Sequence, residues 1–110
     1  MIRPEKIKFK LTKEEFIYLN KITAIMVIGF KDDKTKNEIE IMGQVLITKF
    51  HQKTSKMLIP IKNKYNLNVE TEVACALFSY LQAFLLERLG IFERNLIDKI
   101  IHQIHKEVIV

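Results

Sequence analysis

The stretch KIKFKLTKEEF, Lys6 to Phe16, changes its hydrophobic period partway through, and no other feature of the chain restricts the fold as much. Ile7, Phe9 and Leu11 alternate with Lys6, Lys8 and Lys10, the two-residue period of a strand with one buried face and a lysine-bearing outer face. Thr12 then stands as a helix N-cap. Glu15, three residues on, completes a capping box, and Leu11 is placed to staple onto Phe16. From there Phe16, Leu19, Ile22, Met26 and Phe30 step at helical spacing. A strand, a cap and an amphipathic helix therefore follow one another without a linker.

The same phrase returns in KYNLNVETE, Lys64 to Glu72. Tyr65, Leu67 and Val69 alternate with Lys64, Asn66 and Asn68. Matching Lys8 to Lys64 makes Asn68 the cap, with Glu70 and Glu72 near the positive end of the helix dipole. The helix is expected to run through Val73, Ala76, Leu77, Tyr80, Phe84 and Leu85 to Leu89, where Gly90 serves as a C′ residue and Ile91 makes the hydrophobic contact of a Schellman ending.

A second helix is expected after each first one. KDDKTKNE forms a polar loop in which Thr35 and Glu38 offer a capping box, and Ile39, Met42, Leu46 and Phe50 supply an apolar stripe that ends near HQKTSK. Residues 38–48 also fit a strand with a bulge at Gly43, but helix is the preferred assignment. Leu96, Ile97, Ile100, Ile101, Ile104 and Val108 mark the last helix. Pro60 in MLIPIK places that segment at an edge or a bend, and a hairpin through Lys62 and Asn63 would add a third strand.

The expected fold is a mainly helical α+β domain of about four helices, with a small two- or three-stranded antiparallel sheet, in the order β-α-α-β-α-α. It is read as a single compact domain over 1–110, with half-repeats at 6–54 and 57–110. Apolar content of 48% and charged content of 28% are those of a soluble globular chain with a core that needs no disulfide or metal.

The lone cysteine, Cys75, sits among apolar neighbours, which favours a buried thiol and a reducing, cytoplasmic location. No apolar run approaches membrane-spanning length and no secretory leader is seen, so no membrane association is expected. Asp98, His102 and His105 fall at i, i+4 and i+7 on one side of the last helix, a spacing a transition metal can use. That side lies away from the Ile97, Ile100, Ile101 and Ile104 stripe, so an exposed polar face accounts for it and no metal is assigned. None of the three glycines falls in a phosphate-cradling motif, and no GxSxG or HExxH occurs. Neither cofactor nor catalytic residue is assigned, and the chain is read as non-enzymatic.

Two binding surfaces remain. AIMVIGF, Ala24 to Phe30, is apolar all round its helix, and so small a domain has little to cover it with. Ile25, Val27, Ile28 and Phe30 are the contact residues expected of a protein–protein interaction or assembly protein acting as a homodimer, with a second protein partner possible. Val108, Ile109 and Val110 add an apolar end. The alternative is a basic nucleic-acid-binding accessory protein. Net charge is +5, with +7 over residues 1–66 and −2 over 67–110. Lys6, Lys8, Lys10, Lys49, Lys53 and Lys64 would meet the polyanion, and Tyr18 or Tyr65 would offer stacking. Fifteen lysines against three arginines weigh against bidentate base recognition, so this alternative ranks second.

Overall fold

The computed structural model describes residues 6–32, 37–83 and 90–109. Among them the order is β1 (Lys6–Thr12), α1 (Lys13–Asp32), α2 (Glu38–Met57), β2 (Lys64–Glu70), α3 (Thr71–Ala83) and α4 (Ile91–Ile104), with α4 passing into a π-helical turn at His105–Ile109. β1 and β2 pair antiparallel in a two-stranded sheet. This is the mainly helical α+β fold expected from the changes of period. The chain divides into two compact units: one holds β1 through Lys10 and what is described from Asn66 onward, the other runs from Leu11 to Tyr65. Both cuts fall inside strands.

Both strands alternate exposed and buried residues from first to last, as the two-residue period requires. The Lys13 amide donates to the Asn63 carbonyl at 3.0 Å. Continued along the ladder, that register opposes Leu11 to Tyr65, Phe9 to Leu67 and Ile7 to Val69, all of them buried. At the start of α1 the capping box forms as expected. The Thr12 amide donates to Glu15 Oε1 at 2.9 Å, and the Glu15 amide to Thr12 Oγ1 at 3.2 Å.

The second junction differs from its sequence match. Asn68 is not a cap: β2 continues through it to Glu70, and α3 begins at Thr71. Since β1 spans Lys6–Thr12 and β2 Lys64–Glu70, equivalent positions lie 58 apart, not the 56 of the repeated phrase. A slip of two leaves every strand residue on its own face, so alternation alone does not locate the strand's end.

Within the first unit α3 packs against α4, and the buried positions of the pair are apolar throughout: Ala74, Leu77, Leu81, Leu96, Ile97, Ile100 and Ile104. Ile101 is half-buried. The Lys99 ammonium donates to the Lys10 carbonyl at 3.0 Å. Gly90 is not a C′ residue. Its φ of −73° and ψ of 177° are extended, and it is the N-cap of α4, its carbonyl accepting from the Arg94 amide at 3.1 Å. Ile91 is accordingly the first residue of α4 and is exposed. Phe84, Leu85 and Leu89 lie outside the described residues, as do the side chains of Val108, Ile109 and Val110.

In the second unit α1 packs on α2. Phe16 lies flat on Tyr65, with ring centroids 3.8 Å apart and planes within 5°, and the Tyr65 hydroxyl accepts from the Lys62 amide at 3.0 Å. Residues 38–48 are helical. Thr35 lies outside the described residues; the N-cap is Asn37, whose side-chain oxygen accepts from the Glu40 amide at 2.8 Å. The helix does not stop at HQKTSK but carries on through Met57. MLIPIK supplies no third strand: residues 58–63 form a bend containing a cis Ile59–Pro60 peptide, with Ile59 and Ile61 exposed.

Candidate functional site

α2 does not bury the stripe its hydrophobic residues suggest. Its buried positions are Gln44, Ile47, Phe50 and Thr54, whereas Ile39 is 81% exposed, Met42 67% exposed and Leu46 half-buried. Toward the C-terminal half of α2, polar side chains on this side are bonded to α1. The Asn20 amide group donates to Thr54 Oγ1 at 2.9 Å and to Ser55 Oγ at 3.0 Å, using both of its hydrogens. The Thr54 hydroxyl donates in turn to the His51 carbonyl at 3.0 Å. Thr23 and Thr54 are fully buried, and no buried side-chain nitrogen or oxygen lacks a partner among the described residues. This polar seam explains why α2 persists where its apolar periodicity ends.

The seam also orients His51. Thr23 Oγ1 lies 2.9 Å from the Asn20 carbonyl and 2.9 Å from His51 Nδ1. A hydroxyl has one hydrogen to give, and a carbonyl can only accept. With that hydrogen on the Asn20 carbonyl, Nδ1 is the donor to Thr23, and in the neutral ring Nε2 keeps its lone pair.

The pair buries Phe16, Leu19, Ile22, Met26, Ile47 and Phe50 together with these polar groups, and it leaves other apolar side chains outside. On α1, Ile25 is 55% and Ile28 64% exposed. A groove of about 500 Å³ is lined by Val27, Phe30 and Lys31 from α1 and by Ile41, Val45 and Lys49 from α2, among others. The four contact residues read from AIMVIGF thus occur as two exposed side chains and two groove-lining ones. Ile39 and Met42 are not legible as surface, because a helical stripe on α2 reads as core until the polar seam is seen, and Ile41 and Val45 fall outside that stripe.

The six lysines are all exposed but belong to different units: Lys6, Lys8 and Lys10 to the first, Lys49, Lys53 and Lys64 to the second. Tyr65 is buried against Phe16 and so cannot stack on a base. Cys75 is half-buried on α3 rather than enclosed. Asp98, His102 and His105 are exposed, and the His105 ring centroid lies 6.5 Å from that of Phe78. Among the described residues no group of three or more His, Cys, Asp or Glu is placed to hold a metal ion, and no helix is long and apolar enough to cross a membrane. No protein-family model, curated protein or solved structure matches the chain.

Proposed function

We propose that this chain is a small interaction or assembly protein that works as a homo-oligomer, with the outer face of the α1–α2 pair as its self-association surface. One observation carries this: the pair places threonine, asparagine and histidine in its seam and leaves Ile25, Ile28, Ile39 and Met42 largely exposed. Large apolar side chains left in water are costly, and covering them is worth roughly 25 cal/mol per Å² of apolar surface removed. A two-fold axis would set the same patch against itself, so one sequence supplies both sides of the interface. Lys31 and Lys49, which line the groove, can lay their methylene stems along its apolar side chains and keep their ammonium groups wet. The lone Cys75 suits a reducing compartment such as the cytoplasm.

Sedimentation velocity over a concentration series tests the proposal. The wild-type chain is expected to sediment as a dimer at micromolar concentration. The Ile25→Glu/Ile28→Glu double variant is expected to sediment as a monomer with an unchanged circular dichroism spectrum. A wild-type chain that stays monomeric through the high-micromolar range would overturn it.

A further inference from the structure

Self-association through α1 and α2 makes no use of the outer face of the β1–β2 ribbon. In the first unit that face carries Lys6, Lys8 and Lys10 from β1 and Asn66, Asn68 and Glu70 from β2, all exposed, while Ile7, Phe9, Leu67 and Val69 are buried beneath. The ladder register opposes Lys10 to Asn66, Lys8 to Asn68 and Lys6 to Glu70. Same-face neighbours on a strand are about 6.6–6.8 Å apart, so the three ammonium stems form a row whose step matches about two base-pair rises of a B-form duplex.

Two features separate this face from a merely solubilising one. Lysine is the residue most used to keep a strand edge from pairing, and that role needs no partner group beside it. Here the sign is uniform along β1, and Glu70 is the one acid among the described residues of the face. The lysines are also joined by two carboxamides, and ammonium and carboxamide are groups that hydrogen-bond the base edges of a duplex. Shape selects the groove. A two-stranded ribbon fits the B-form major groove, about 12 Å wide, but neither the minor groove, about 6 Å wide, nor the deep, narrow major groove of duplex RNA.

We propose that the outer face of the β1–β2 ribbon docks on B-form duplex DNA, with Lys6, Lys8 and Lys10 on phosphates and Asn66 and Asn68 toward the base edges. Fluorescence anisotropy of the full chain with a labelled mixed-sequence duplex, about two helical turns long, tests it. Three phosphate contacts predict that affinity falls about 40-fold per protomer between about 50 and 200 mM salt. Lys6→Gln/Lys8→Gln/Lys10→Gln is expected to flatten that dependence, and each single Lys→Gln change to lower the log–log slope by about 0.9. The singles keep the test valid if the triple variant fails to fold. Lys49→Gln/Lys53→Gln on α2 is expected to leave the slope unchanged. Absence of binding at about 50 mM salt, a wild-type slope in a folded triple variant, or duplex RNA bound as tightly as DNA would each overturn the proposal.

Discussion

The two helix pairs of this protein differ in what they bury: one face is apolar throughout, the other mixes apolar and hydrogen-bonded polar side chains. Between α3 and α4 the buried positions are apolar and include Ala74, Leu77, Leu81, Leu96, Ile97, Ile100 and Ile104. In the α1–α2 pair, Phe16, Leu19, Ile22, Met26, Ile47 and Phe50 share the interior with Gln44, Thr54, Thr23 and, at its margin, Asn20 and His51, while Ile25, Ile28 and Ile39 face outward. A hydrogen-bonded seam fixes which residues lie opposite one another more narrowly than an apolar one, because a displaced donor is left unsatisfied. It takes up part of the buried face, and Ile25, Ile28, Ile39 and Met42 stay exposed. What one pair uses for its own stability, the other has available for association.

The largest effect expected is in the apolar pair. Ile100→Ala should lower unfolding free energy by about 2–5 kcal/mol, since the cavity is lined by side chains that cannot follow it, read as a fall in the urea midpoint at constant m-value. Removing the donor at the centre of the polar seam should cost less. Asn20→Ala is expected to lose about 1–3 kcal/mol, and Asn20→Leu combined with Thr54→Val less than the two single changes added, because the pair then leaves fewer polar groups unmatched. If the double change costs as much as the sum, the seam is not acting as a unit. Thr12→Ala, which opens the capping box, should cost about 1 kcal/mol in thermal or chemical unfolding. Smallest is Ile39→Ser on the exposed side of α2. It should leave monomer stability within about 0.5 kcal/mol while weakening self-association measured by sedimentation.

Short-range features were legible in the sequence and long-range ones were not. Strand β1, the Thr12–Glu15 box and the start of α1 depend on residues within a few positions of each other, so period and spacing suffice. The Ile97, Ile100 and Ile104 stripe of α4 was likewise visible, because its inward face is apolar. The extent and facing of α2 depend instead on Asn20, which bonds Thr54 across 34 positions and Ser55 across 35. Nothing local in HQKTSK announces that partner, so a buried polar face reads as the end of a helix. For the candidate surface, Ile25, Val27, Ile28 and Phe30 could be picked out because AIMVIGF has no polar side to offer. Ile39 and Met42 could not, since their exposure follows from the polar seam behind them.

The first unit is discontinuous in the chain, joining residues up to Lys10 with those from Asn66 onward, whereas the second is a single stretch between. A ribosome therefore releases β1 well before the strand it pairs with. All of Leu11 to Tyr65 is available to fold while that strand waits, its Ile7 and Phe9 still uncovered. The Lys99 to Lys10 bond spans 89 positions. Closing so long a separation is entropically costly and slow, so the segment made first is among the last to be enclosed.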